Sequence, residues 1–310
     1  MPTTLPTATL GGTGLKVTRL SYGAMEIRGA PRGRHITPKQ AETVLNAVLD
    51  AGVNYIDTSI DYGQSEEFIG QFISRRRSEY YLATKCGCQV GAPQAPAGQR
   101  SPHVFTKENI VAGVNQSLKR MKTDHLDVVQ FHASPSMKEL DDHGALAALQ
   151  DLQRQGKVRH VGMSGVLPEL ASHVSAGAFK VLQIPYSALE RQNEAWVAAA
   201  ARKGIGTVIR GGVAKGEPGQ SGVSRPDTWA AYDQVKLDEV KPQGETRTSF
   251  MLRFTLSHPD VHTTIVGTLN PDHVRSNADA ARRGALPANV YSEAKKRLSA
   301  AGQIPASVSG

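Results

Sequence analysis

TPKQAETVLNAVLDAGVNYIDTS, residues 37–59, holds the unit on which the fold depends. Thr37-Pro38 reads as an N-cap followed by proline in the first helical turn, helical periodicity runs on to Ala51, and Gly52 is a C-terminal stop. Residues 53–57 are then a short β-branched and aromatic run that ends in the carboxylate of Asp57, as a buried strand would. The same alternation continues along the chain. Candidate strands fall at residues 18–24, 53–57, 80–85, 125–132, 158–164, 181–184, 205–210 and 261–267. Candidate helices fall at 38–51, 65–75, 106–122, 138–155, 167–176, 193–203, 245–257 and 271–283. Eight repeated units of this kind predict a parallel sheet closed into a (β/α)8 TIM barrel.

Ahead of the first unit, residues 8–17 contain Gly11-Gly12-Thr13-Gly14 between two extended stretches, which predicts a β-hairpin able to close one mouth of the barrel. It is not a dinucleotide fingerprint, because no helix follows the glycines. The 310 residues are expected to form one domain, with a tail after about residue 286 that carries a short helical pattern at 288–300 and then frays. Residues 87–103 and 211–244 are too long for simple connections. Both follow candidate strands, so they are expected on the C-terminal face, where barrel enzymes build their sites.

Composition narrows the function. Hydrophobic residues make up 39% of the chain, enough for a buried core, and no stretch is long and apolar enough to span a bilayer. Residues 1–10 lack the layout of a signal peptide, so a cytoplasmic location and no membrane partner are expected. The net charge of +8 favours anions, but Lys and Arg are scattered, with short clusters only at Arg75-Arg76-Arg77 and Arg282-Arg283. Neither is interleaved with aromatics, so no nucleic-acid partner is expected. Cys86 and Cys88 are too close in sequence for an easy disulfide and too few for a tetrahedral metal site. They read as reduced packing residues, no metal is expected, and His103, His143 and His160 have no readable partner.

The chemistry gathers at strand ends. Asp57 ends the second candidate strand, Lys85 the third and His132 the fourth, while Tyr62 lies five residues past Asp57. In a barrel these positions converge on one face. An ammonium stabilises a phenolate, so Lys85 is expected to lower the Tyr62 pKa from its ordinary value of about 10. Asp57 would hold the ammonium charged, and His132 would orient a substrate oxygen. Such a group protonates an oxygen that is becoming an alkoxide, and the hydride it lacks has to come from a cofactor.

Several segments carry a family resemblance: Asn54-Tyr55-Ile56-Asp57-Thr58-Ser59, Asp61-Tyr62-Gly63 with Glu66-Glu67 and Ile69-Gly70, Ala83-Thr84-Lys85, Asp127-Val128-Val129-Gln130-Phe131-His132, and Gly156-Lys157-Val158-Arg159 with Val161-Gly162-Met163-Ser164. The chain resembles the aldo-keto reductase superfamily from the hairpin to about Gly284. The resemblance implies the Asp-Tyr-Lys-His tetrad, an extended nicotinamide cofactor across the barrel mouth, and reversible interconversion of a small-molecule carbonyl and its alcohol. By motif position it places Ser164 and Gln183 on the carboxamide, Arg210 with Gly211 and Gly212 beside the nicotinamide, Met25 on the pocket wall against the cofactor, and Gly267, Thr268, His273 and Asn277 at the adenosine end. Gly165 departs from the asparagine that commonly follows the serine, and Arg210 from the usual stacking aromatic. The habit of the family that the chain resembles favours NADPH, with His273 and the Thr268 hydroxyl as the expected contacts for the 2′-phosphate. Asp272 argues the other way and leaves NADH open. Two other readings of the residues stand beside this one, a non-catalytic nicotinamide-binding regulatory subunit and a Schiff-base lyase using Lys85. Neither substrate identity nor oligomeric state is set by the sequence.

Overall fold

In a computed structural model of the chain, residues 4–92, 95–99, 101–218 and 226–308 are described. An antiparallel hairpin, β1 (Thr7–Thr9) and β2 (Lys16–Thr18), precedes eight parallel strands. These are β3 (Leu20–Gly23), β4 (Tyr55–Asp57), β5 (Tyr81–Cys86), β6 (Leu126–Phe131), β7 (Val158–Ser164), β8 (Val181–Pro185), β9 (Gly206–Arg210) and β10 (Thr263–Val266). They close in the order β10-β3-β4-β5-β6-β7-β8-β9. The expected TIM barrel and its hairpin are thus both present.

Period-two alternation sorts the strand residues into two cores. Tyr55, Ala83, Val128, Val181 and Val208 point into the barrel and pack with Leu10, Leu15 and Val17 of the hairpin. Their neighbours Ile56, Leu82, Val129, Leu182 and Ile209 point outward and pack beneath the helices. The hairpin therefore plugs the N-terminal mouth. Leu10 is fully buried there, and Gly11 lies so close to β9 that a Cβ would sit 2.3 Å from the Gly206 nitrogen, with φ at +51°. Only glycine meets both demands. The cleft is left at the C-terminal end.

Outside the barrel lie α1 (Pro38–Asp50), α2 (Ser65–Phe72), α3 (Lys107–Met121), α4 (Met137–Asp142), α5 (Ala145–Arg154), α6 (Leu170–Ser175), α7 (Glu194–Arg202), α8 (Pro226–Gln234), α9 (Arg247–Ser257), α10 (Pro271–Arg283) and α11 (Ala288–Ala300). Thr37 and Gln40 form a capping box on α1. The helix expected over 138–155 is two helices, because Gly144 takes a left-handed φ of 63° and interrupts the hydrogen-bond ladder. Residues 65–75 are helical only to Phe72 and continue as a 3-10 segment, Ser74–Glu79.

The long segment after β9 contains α8, whose Trp229 and Tyr232 are buried, and part of it, residues 219–225, lies outside the described residues. The same holds for residues 93, 94 and 100 of the 87–103 segment. The helical pattern expected at 288–300 is α11, which docks through Ala294 and Leu298. Arg191 binds the Lys295 and Gln303 carbonyls and Ser299 Oγ. Among the described residues no helix is long and apolar enough to cross a membrane.

Candidate active site

The alternation that places Tyr55, Ala83 and Val128 inside the barrel also turns Asp57, Lys85 and Gln130 inward, one step nearer the C-terminal mouth. Lys85 Nζ donates to Asp57 Oδ2 at 2.6 Å and to the Thr58 carbonyl at 2.8 Å, with both side chains almost fully buried. The other carboxylate oxygen of Asp57 accepts from Gln130 Nε2 at 2.9 Å and Gln183 Nε2 at 2.8 Å. Burial alone would lower the Lys85 pKa, but Asp57 and then Tyr62 outweigh it, and the ammonium is held above its usual range.

Tyr62 is set by the turn after β4, its N–H bonding the Ser59 carbonyl at 3.0 Å and its carbonyl accepting from the Ser65 N–H at 2.8 Å. Lys85 Nζ lies 4.9 Å from the centre of its ring. The expected fall in the Tyr62 pKa is corrected. Burial raises it, Lys85 opposes that, Asp57 and Asp61 add to it, and the net direction is upward. The phenol is therefore protonated at neutral pH, as a proton donor has to be.

His132 continues β6, its N–H bonding the Cys86 carbonyl at 3.0 Å, and its ring meets Tyr62 edge to face at 6.2 Å. The tetrad is thus brought together as expected. The surroundings of the imidazole are less expected. Nδ1 lies 3.2 Å from Cys88 Sγ, 3.4 Å from His103 Nε2 and 3.7 Å from Asp61 Oδ1. Nε2, across the ring, is the nitrogen left to face a substrate. Burial, opposed by Asp61 and assisted by Lys85, holds the His132 pKa well below the usual imidazole value, so the ring is neutral. Asp61 is itself fixed by Ser59 Oγ at 2.7 Å and Arg32 at 3.1 Å. Burial would raise its pKa, but the hydrogen bonds from Ser59 and Arg32 and the Arg32 charge bring it below the usual carboxylate range.

Cys86 is a packing residue as read, buried in the outer core. Cys88 and His103 are not without partners. An antiparallel bridge pairs residues 88 and 103 and carries both side chains to His132. Sequence reasoning also passed over Gln130 and Asp61. Gln130 had a signal, since it stands two residues before His132 on the same face of β6. His103 had none, because it stands 15 positions beyond Cys88 along the chain and a separate strand brings His132 to the pair.

The residues assigned to the cofactor occupy the other half of the ring, β7 to β10. Ser164 and Gln183 are register partners on β7 and β8, with Ser164 Oγ donating to Gln183 Oε1 at 3.4 Å. A hydroxyl beside a primary amide offers the donors and acceptors that a carboxamide needs. Arg210 ends β9, half-buried, and its charge is felt at His132. Gly211 follows with φ of 77°, and the Gly212 carbonyl accepts from Thr255 Oγ1 at 2.9 Å.

Gly267 follows β10, and Thr268 Oγ1 lies 3.4 Å from His273 Nδ1 in the first turn of α10. Asn277 is half-buried one turn further on, while Arg275 is ion-paired to Asp272. Met25 is half-buried in the 3-10 segment after β3, between the two halves. Polar groups at β7 and β8 and a helix N-terminus beyond β10 suit the two ends of an extended dinucleotide. Gly165 has a local cause: a Cβ there would stand 3.0 Å from His173 Nδ1 and 3.2 Å from Leu170 Cδ1.

A model of the aldo/keto reductase family matches residues 19–298. YqkF, an uncharacterised oxidoreductase of Bacillus subtilis, is 26% identical over 287 residues, 88% of this chain and 90% of that protein. L-galactose dehydrogenase of Arabidopsis thaliana is 25% identical over 294 residues, 87% of this chain and 86% of that one. Among solved structures, the aldo-keto reductase AKR11C1 of Bacillus halodurans in its holo form superposes with a TM-score of 0.80 at 26% identity, covering 98% of this chain and 97% of that one. A match over nearly the whole barrel, together with the closed eight-stranded sheet, places this chain in the aldo/keto reductase family as an oxidoreductase of that type.

Proposed function

We propose that the chain reduces an aldehyde or ketone to an alcohol, reversibly, with NADPH as the preferred nicotinamide and Tyr62 as the proton donor. The reading rests above all on the Lys85 ammonium, tied to Asp57 at 2.6 Å and lying 4.9 Å from the Tyr62 ring centre. A reduced nicotinamide, when bound, would supply the hydride for the carbonyl carbon. Tyr62 Oη gives its proton to the carbonyl oxygen as that oxygen becomes an alkoxide, and Lys85 stabilises the phenolate left behind. Asp57 keeps the ammonium in place, while Gln130 and Gln183 hold the other carboxylate oxygen. His132 donates from Nε2 to the same substrate oxygen and aligns it. A Schiff base at Lys85 would need a neutral amine, which the Asp57 pairing and the raised pKa disfavour.

Ser164 and Gln183 would hold the carboxamide, Arg210, Gly211, Gly212 and Met25 would flank the ring, and Gly267, Thr268, His273 and Asn277 would take the adenosine end. A sugar aldehyde is a reasonable first probe, because one relative is a dehydrogenase of L-galactose. The test is titration of the protein with NADPH and with NADH, followed by turnover of an aldehyde panel by wild type and Tyr62→Phe. NADPH should bind more tightly. Tyr62→Phe should bind the cofactor normally and lose about 100- to 10,000-fold in turnover. Equal turnover by Tyr62→Phe would refute the mechanism, and binding of neither nucleotide would remove the hydride source.

A further inference from the structure

Cys88 Sγ, His103 Nε2 and His132 Nδ1 form a triangle with edges of 3.2, 3.5 and 3.4 Å. Hydrogen bonding accounts poorly for this shape. An imidazole nitrogen donates or accepts along one direction in the plane of its ring, so neither histidine can align with two partners at once. A cation near the centre of the triangle is addressed by all three atoms together. The dimensions agree: zinc bonds of about 2.3 Å to sulfur and about 2.05 Å to nitrogen, at tetrahedral angles, give edges of about 3.5 Å for sulfur–nitrogen and about 3.3 Å for nitrogen–nitrogen.

We propose that Cys88, His103 and His132 are ligands of a divalent transition-metal ion of the zinc class, a mixed thiolate and imidazole set of the kind that ion takes. Among the described residues these three are a cluster with metal-binding geometry. The fourth position falls to solvent. Asp61 Oδ1, 3.7 Å from His132 Nδ1, stands a few tenths of an ångström beyond the corresponding edge and adds negative charge beside that water. Entry is from the barrel mouth, where the His132 side chain keeps 20% of its surface exposed. On binding, the Cys88 S–H bond breaks, a sulfur–metal bond forms, and the proton leaves to solvent. One consequence rests on the carbonyl-reductase reading. A metal on Nδ1 requires the remaining imidazole proton to sit on Nε2, the nitrogen that would meet the substrate oxygen.

The full-length protein, reduced and stripped with a chelator, is titrated with Co2+ and then Zn2+, reading absorption and calorimetric stoichiometry. One equivalent of Co2+ should produce a thiolate-to-cobalt charge-transfer band with the strong visible bands of a four-coordinate ion, and Zn2+ should abolish both. Cys88→Ser should lose the charge-transfer band, and His103→Ala should weaken binding more than about tenfold. No thiolate band in wild type would overturn the proposal without recourse to any variant. So would a band that survives Cys88→Ser, or unchanged affinity in His103→Ala. The spectrum does not depend on carbonyl turnover, so failure of one reading leaves the other standing.

Discussion

Replacing Lys85 with methionine should destabilise the fold in a way that depends on pH. Methionine approximates the length of the lysine stem but removes the ammonium from Asp57 Oδ2 and from the Thr58 carbonyl. Both members of the ion pair are nearly excluded from solvent, so the substitution strands a buried carboxylate, which costs about 3–5 kcal/mol. The carboxylate can escape by taking up a proton. For an ordinary carboxyl at pH 7 that uptake costs about 4 kcal/mol, and it becomes cheaper by about 1.4 kcal/mol for each unit the pH falls. The charge-related deficit should therefore be about 3–4 kcal/mol at pH 7 and about 1–2 kcal/mol at pH 5. The sign follows from linkage: the folded variant holds this proton more tightly than the unfolded chain, so its stability is lost as pH rises. Urea unfolding of wild type and Lys85→Met at both pH values measures the difference. In an Asp57→Asn background the same substitution should cost at least about 2 kcal/mol less. A deficit that is equal at pH 5 and pH 7, or no relief by Asp57→Asn, would show that the pair is not a desolvated charge pair and would refute the reasoning.

Two further predictions concern the scaffold. Leu10→Ala removes a fully buried side chain from the plug at the bottom of the barrel and should cost about 2–5 kcal/mol, read as a lower urea midpoint at unchanged slope. Glu194 accepts from Arg191 Nε at 2.7 Å and is ion-paired to Lys295 on α11; burial would raise its pKa, but these two cations bring it below the usual carboxylate range. Its contribution should be fully present above the unfolded carboxyl value of about 4.3 and be lost as pH falls through the lower folded value. The stability gap between wild type and Glu194→Gln should accordingly be flat from about pH 5.5 to 8 and close in stronger acid, as pH-resolved urea unfolding would record.

The barrel was legible because its strands are largely buried on both faces and most read as short β-branched or aromatic runs between turn residues; β7 matches its expected bounds at residues 158–164 although Arg159 within it is exposed. What escaped were features that periodicity does not encode. Gly144 splits a helix whose apolar pattern continues across the break, since one left-handed residue ends the hydrogen-bond ladder without altering the spacing of side chains. α8 lies in a segment dense in glycine and proline, where the composition argues for loop, and its order comes from tertiary burial of Trp229 and Tyr232.

The candidate site divides along the same line. Asp57, Lys85 and His132 are readable because a strand fixes which way each side chain points and a closed barrel brings strand ends together. Once His132 is placed, the alternation that turns it inward also yields Gln130, so the support of Asp57 was within reach of the sequence. Cys88 and His103 obey no such rule. Their approach depends on how residues 87–103 fold back on themselves, and loop conformation is set by packing rather than by pattern. The pairing of 88 with 103 nevertheless alters the chemistry of His132. Its Nδ1 is turned away from the cleft toward a thiol and a second imidazole. Whether a proton or a metal ion sits on Nδ1 within that triangle then decides whether Nε2 carries the hydrogen that would meet a substrate oxygen.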